Sequence, residues 1–301
     1  MTDAEYLAAV LRDQTLAPDG PEIKDLQLHK AEVEKLLRGA FDDYRPTIRY
    51  GGSKAKGTMI KDSYDLDLIC YFPHDETGPG ETLEDIYNNA DRQLAKKYLT
   101  ERKPSAIRLK NPARDSYGTD FHIDVVPGRY FDDSKTDVWL YQNASDKKRL
   151  KTNLDVHIEY VRDSGVTDAI GLMKLWRIRN NVNVKNFALE LLIVDLLKDH
   201  KRAALPAQLW HVLERFRDDA DGLSVKDPAN PDGNDLSELL NATVKSSLSS
   251  AARSTLAAID NGGWVQIFGP VKEDDQTEAL RRVAASVPTA SRQKPWHSGD
   301  K

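Results

Sequence analysis

Residues 64–72 read Tyr-Asp-Leu-Asp-Leu-Ile-Cys-Tyr-Phe, an almost continuous apolar run broken by Asp65 and Asp67. A run of this kind reads as a buried strand, in which positions i and i+2 point to one face. Two carboxylates side by side on a buried face are costly without a partner, and one of them tends to stay protonated. Ahead of the run lies Gly51-Gly52-Ser53-Lys54-Ala55-Lys56-Gly57-Thr58, a turn of small residues. Glycine lets a backbone approach an anion, and backbone N–H groups with the Ser53 hydroxyl can donate to phosphate oxygens. Gly57-Thr58 is a second small pair bordering the same pocket, and the G-x-x-x-x-G-K-[ST] phosphate loop is absent. Downstream, Ile123-Asp124-Val125-Val126-Pro127 places a third acid in a second strand-like stretch.

Taken singly these signals are weak. Asp65-Leu66-Asp67 also reads as a solvated pair at a strand end, and Gly51-Gly52-Ser53 as an ordinary turn. In this order, with Asp124 on a neighbouring strand, they describe a site for metal-dependent transfer of a nucleotide. A divalent ion removes the conflict between the acids, and an all-oxygen set suits Mg²⁺ or Mn²⁺. Cys and His at zinc spacing are absent. Asp65 and Asp67 are expected to bind or bridge two ions. Asp124 is expected to bind the ion at an acceptor hydroxyl and to take its proton.

The rest of the chain divides by pattern. Residues 22–44 carry apolar positions at helical spacing, closed by Pro46. Residues 47–50 and 64–72 read as strands, and 82–99 as a helix with Thr82 at its N-cap. Residues 106–109, 121–126 and 137–141 read as further strands. After about residue 150 helical periodicity takes over, with helices expected over 154–161, 167–179, 187–198, 206–220, 236–240, 247–259 and 274–285. The expectation is a mixed α/β (α+β) fold. It comprises a catalytic lobe with a long N-terminal helix over 1–150, a helical lobe over 151–285 closing a nucleotide cleft, and a mobile tail over 286–301.

The charge balance narrows the partners. The 48 acids outnumber the 43 bases, for a net charge of −5. That disfavours a protein whose main task is gripping long nucleic acid, and metal ions can supply positive charge locally. No apolar run is long enough to span a bilayer, and the polar start Met1-Thr2-Asp3-Ala4-Glu5-Tyr6 is unlike a secretory signal. The lone Cys70, in a strand, reads as a small buried hydrophobe, which suits a cytoplasmic location.

Gly52-Ser53, Asp65-Leu66-Asp67 and Asp124 resemble the G-S … D-x-D … D pattern of the DNA polymerase β-like nucleotidyltransferases. Gly171-Leu172-Met173-Lys174-Leu175-Trp176-Arg177, Lys185-Asn186-Phe187-Ala188-Leu189-Glu190 and Asp227-Pro228-Ala229-Asn230-Pro231 resemble the branch of oligoadenylate synthases and cyclic GMP–AMP synthase. Its bacterial members are the CD-NTases. The resemblance runs from about Glu22 to Asn241. It implies a central-sheet lobe and a helical lobe joined by a spine helix. It also implies Mg²⁺-dependent joining of nucleoside triphosphates, ATP among them, into a cyclic oligonucleotide messenger of anti-phage signalling, with release of pyrophosphate. The implied partners are the nucleotides, an effector reached through the product, and a regulatory protein; no membrane and no stable nucleic-acid partner is implied. Gly52, Ser53, Lys174 and Asn186 would bind nucleotide, Lys174 from the helical lobe. Relatives commonly carry Ser at the position of Asn186.

Other readings compete. Lys174 also fits a solvated position on an amphipathic helix. The same acids would serve nucleotidyl transfer to an RNA 3′ end, as in tRNA tailing, and a disabled fold would serve as a nucleotide-binding module. His122 and His157 read as a local strand residue and a surface residue. Arg49 and Tyr50 read as support for the turn. Arg108, Lys110 and the basic run Lys147-Lys148-Arg149-Leu150-Lys151 read as solvated charge.

Overall fold

The sheet is laid out around the strand that carries the acid pair. The computed structural model describes residues 1–110, 123–143 and 148–271. Strand β2 (Leu66–Phe72) takes β1 (Thr47–Tyr50), antiparallel, on one edge and β5 (Ile123–Tyr130), parallel, on the other. The far edge of β5 is shared. Its first residues pair with β4 (Ile107–Lys110) and its last with β6 (Val138–Tyr141), both antiparallel. β3 (Leu99–Arg102) extends β4, and β7 (Arg149–Thr152) extends β6, giving one mixed sheet of seven strands among the described residues.

Alternation along β2 separates the chemistry from the core. Leu66, Leu68, Cys70 and Phe72 face α2 (Pro21–Phe41) and α4 (Leu83–Leu94), where Leu26, Val33, Leu37, Ile86 and Leu94 complete the main core. Ile69 and Tyr71 face the other way and pack with Tyr130, Val138 and Leu140. Asp67 lies on that second face. Helix α4 starts where the sequence places its cap: Thr82 accepts from the Asp85 amide, and Asp85 reaches back to the Thr82 amide.

The helical half consists of α5 (Leu154–Arg162), α6 (Thr167–Arg179), α7 (Asn186–Leu196), α8 (Leu205–Asp218), α9 (Ala242–Gly262) and α10 (Val265–Phe268). Residues Ala169–Trp176 of α6 and Ala188–Val194 of α7 are buried on all sides, so these two form its centre. The first helix, α1 (Asp3–Gln14), packs on α6 and α8, and the Tyr6 hydroxyl donates to the Gly269 carbonyl at 2.5 Å.

Several boundaries differ from the sequence reading. Helix α4 stops at Leu94, and Leu99–Arg102 is a strand. Part of the basic run is β7, a four-residue strand whose alternation of charged and apolar residues is too short to register. The expected boundary at residue 150 therefore falls inside a strand. α1 belongs with the helical half, and residues Met1–Gly269 hold together as one compact unit. The expected helix 274–285, the tail 286–301, His122 and Lys147 lie outside the described residues.

Candidate active site

Asp67 and Asp124 are register partners across the parallel β2–β5 pair, so both carboxylates leave the sheet on one face. Asp65 precedes the strand by one residue. Arg108, opposite Asp124 on β4, grips that acid with two hydrogen bonds: Nε to Oδ1 and Nη2 to Oδ2, each 2.8 Å. Its Nη2 also lies 3.7 Å from Asp65 Oδ2. The bonds to Asp124 push the guanidinium pKa further up, so it is a permanent cation. Asp67 has the opposite environment. Burial, then the charges of Asp124 and Asp65, push its carboxyl up to about 7.

The glycine turn is shaped to that acid. The Gly51 amide donates to the Asp67 carbonyl at 2.9 Å. Gly52 has φ +55°, and a Cβ there would stand 1.5 Å from Asp67 Oδ2. Only glycine lets the turn close over the carboxylate. The single turn α3 (Gly52–Lys56) follows, with no side chain capping its start, so the Gly52 and Ser53 amides have no acceptor within the helix.

Behind the turn lies a buried ionic knot drawn from three helices and a loop. Glu190 on α7 pairs with Lys174 Nζ of α6 at 2.5 Å and with Lys56 Nζ of α3 at 2.7 Å. The Thr58 hydroxyl donates to Glu190 at 2.8 Å, and Lys174 donates to the Thr58 carbonyl at 3.1 Å. Burial works to raise the Glu190 pKa, but the two ammonium groups outweigh it and hold it low. Lys174 is thus not solvated: its side chain is 3% exposed and held in place. Two cations against one anion leave one positive charge behind a cavity of about 230 Å³ lined by Ser53, Asp65, Asp67 and Asn186. Asn186 Oδ1 is buried there without a hydrogen-bond partner.

On the other side of Asp67 is a cavity of about 590 Å³, lined by Tyr71, Arg108, Asp124, Leu154, His157 and Phe187. Gly52, Asp67 and Phe187 border both cavities.

No protein-family model matches the chain, and no curated protein matches its sequence. Solved structures match in fold. The CdnC:HORMA-deltaN complex of E. coli MS115-1 aligns with TM-score 0.66 and 17% identity, covering 90% of this chain and 99% of that one. The CD-NTase CdnG of Bradyrhizobium diazoefficiens, in complex with GTP, aligns with TM-score 0.63 and 17% identity over 94% and 98% of the two chains. This chain has the CD-NTase fold. The DncV cyclic AMP-GMP synthase of Vibrio cholerae, in complex with the linear intermediate 5′ pppA(3′,5′)pG, aligns with TM-score 0.61 and 16% identity over 91% and 86%.

Within the CD-NTase fold, two residues set aside in the sequence reading line the larger cavity beside the acids. Arg108 alternates with Ile107 and Leu109, so it shares the face of Asp124 once β4 pairs with β5. Only that pairing reveals its role. His157 is not on the surface. Its Nε2 lies 2.6 Å from Asp227 Oδ1, and its ring centroid is 5.0 Å from that of Phe187. Asp227 also accepts from the Ala229 amide at 2.8 Å and from Asn234 Nδ2 at 2.6 Å. The Asp227–Pro231 stretch is therefore a scaffold that aims His157. Lys56 and Glu190 were also missed; nothing local marks two residues 134 positions apart as partners.

Among the described residues no three His, Cys, Asp or Glu side chains stand as a closed metal cage. The donor set still fits divalent cations. It is all oxygen, burial and then like charges raise the Asp67 pKa, and Arg108 uses only one lone pair on each Asp124 oxygen.

Proposed function

We propose that the chain is a nucleotidyltransferase that joins nucleoside triphosphates, ATP among them, into a cyclic oligonucleotide and releases pyrophosphate. The observation that carries this reading is the position of Asp65, Asp67 and Asp124. They border two cavities beside a glycine turn shaped to Asp67, on a CD-NTase fold.

In this reading the smaller cavity takes the donor triphosphate. The Ser53 hydroxyl and the open amides of Gly52 and Ser53 donate to phosphate oxygens. The Lys56–Glu190–Lys174 knot keeps net positive charge behind them. A half-turn of the Asn186 amide presents Nδ2 to the same group. The larger cavity takes the acceptor, with Phe187 and Tyr71 as apolar walls. Asp124, oriented by Arg108, accepts the proton of the attacking hydroxyl. When bound at Asp65, Asp67 and Asp124, Mg²⁺ or Mn²⁺ would offset the triphosphate charge and acidify the acceptor hydroxyl. The linear intermediate then turns, and its free hydroxyl attacks a second time.

The named neighbours support nucleotide substrates, and the HORMA complex of CdnC supports a regulatory protein partner. A cytoplasmic role in anti-phage signalling, with an effector that responds to the product, follows from the same reading. The test is pyrophosphate release from the four nucleoside triphosphates with and without Mg²⁺. Release should require the ion and vanish in a folded Asp67→Asn variant. Release only with added RNA, or unchanged in Asp67→Asn, would overturn the proposal.

A further inference from the structure

A separate cavity of about 660 Å³ lies on the opposite face of the sheet from the acids. The β6–β7 pair separates the two spaces. Leu140, Leu150 and Thr152 line the catalytic cavity, whereas Trp139, Tyr141, Arg149 and Lys151 line the other, as alternation along two paired strands requires. The volume is that of a small-molecule site.

Its chemistry is specific. The Arg149 guanidinium lies over the Trp139 ring, 4.4 Å from the centroid, and Phe131 packs against the same ring at 5.9 Å. Lys148 joins them in the lining. Lys151 is paired with Asp137 at 2.7 Å, but no carboxylate pairs with Lys148 or Arg149 among the described residues. Glu84 is the one acid among the described lining residues, and the Tyr141 hydroxyl donates to it. A guanidinium lying over an indole favours a further planar group beside it, and Arg149 together with Lys148, neither paired with a carboxylate among the described residues, favours negative charge.

The cavity is also joined to the catalytic one. The Lys151 carbonyl accepts from Asn230 Nδ2 at 3.3 Å and from Asn234 Nδ2 at 3.1 Å. Asn234 donates in turn to Asp227, which holds His157 in the wall of the catalytic cavity. A shift of β7 therefore reaches His157 through three hydrogen bonds.

We propose that this cavity is an effector site for a planar aromatic anion, a ring bearing phosphate or carboxylate, and that its occupancy is coupled to nucleotide binding at the acids. The first part stands without the proposed transferase activity; the coupling rests on it. The probes are AMP and pyridine-2,3-dicarboxylate, titrated calorimetrically into the full chain saturated with Mg²⁺ and α,β-methylene-ATP. Adenosine and ribose 5-phosphate are the controls lacking the charge or the aromatic ring. At least one probe should bind about tenfold tighter than both controls, and its phosphate or carboxylate identifies the source. Trp139→Ala and the exposed Arg149→Glu should each weaken that probe about tenfold and leave affinity for the ATP analogue unchanged. With the ATP analogue and Mg²⁺ left out, Asp67→Asn should bind the probe as the parent does. Asn234→Ala should leave probe binding and reduce its effect on ATP-analogue affinity. If neither probe exceeds the controls, or Trp139→Ala and Arg149→Glu bind it as the parent does, the site does not exist. If the probe binds without changing ATP-analogue affinity, the coupling is wrong. A chain that binds the probe but never binds the ATP analogue refutes the transferase reading and leaves the effector site standing.

Discussion

Asp67 carries the largest electrostatic conflict in the site, and its behaviour with pH exposes it. Its carboxyl is raised from 3.8 to about 7 by burial and by its two acidic neighbours. Between these values the folded chain holds a proton that the unfolded chain has released. That group's stabilising effect is thus present at low pH and lost as pH rises through about 7. With divalent ions removed, the melting temperature should fall from about pH 5 to about pH 8, and Asp67→Asn should flatten the profile. At the alkaline end the variant should be more stable by on the order of 3 kcal/mol. Parallel profiles for the two proteins in thermal melts would contradict this account. Gly52 offers a steric counterpart. Gly52→Ala places a methyl group against Asp67 Oδ2 at a left-handed backbone position. Pyrophosphate release should fall by about 100-fold, because displacing a reacting group by about 1 Å costs that much.

At the scale of elements, the ionic knot ties α3, α6 and α7 together. Glu190→Gln leaves Lys56 and Lys174 buried without their anion. Denaturant unfolding should show a loss of about 3–5 kcal/mol. A loss below about 1 kcal/mol would mean that water or another group already satisfies the lysines. The same element scale explains what the sequence could reveal. Asp65 and Asp67 were legible because a period-two face inside an apolar run is a local signal. Asp124 was legible for the same reason, although its register with Asp67 was not. Arg108 alternates as clearly, yet its meaning depends on which strand lies beside β4. Glu190 appeared as one acid in an apolar helix, and its two lysines arrive from distant segments. Gly52 read correctly as a tight turn. That the turn closes over Asp67 is a fact of three dimensions.

Across the whole molecule, the mixed sheet brings the acids to one face, and the helical half brings Lys174, Asn186 and His157 to the same pair of cavities. Neither half holds a complete site. The net charge of −5 agrees with this division, since local cations and bound metal, rather than a basic surface, would hold the triphosphate. The most direct measurement of the central claim is mass spectrometry of the products formed from nucleoside triphosphates and Mg²⁺, before and after phosphatase treatment. A cyclic oligonucleotide that phosphatase leaves unchanged, and that Asp67→Asn does not make, is the expected product. Phosphatase-sensitive linear products alone, or no product from folded protein, would contradict that claim.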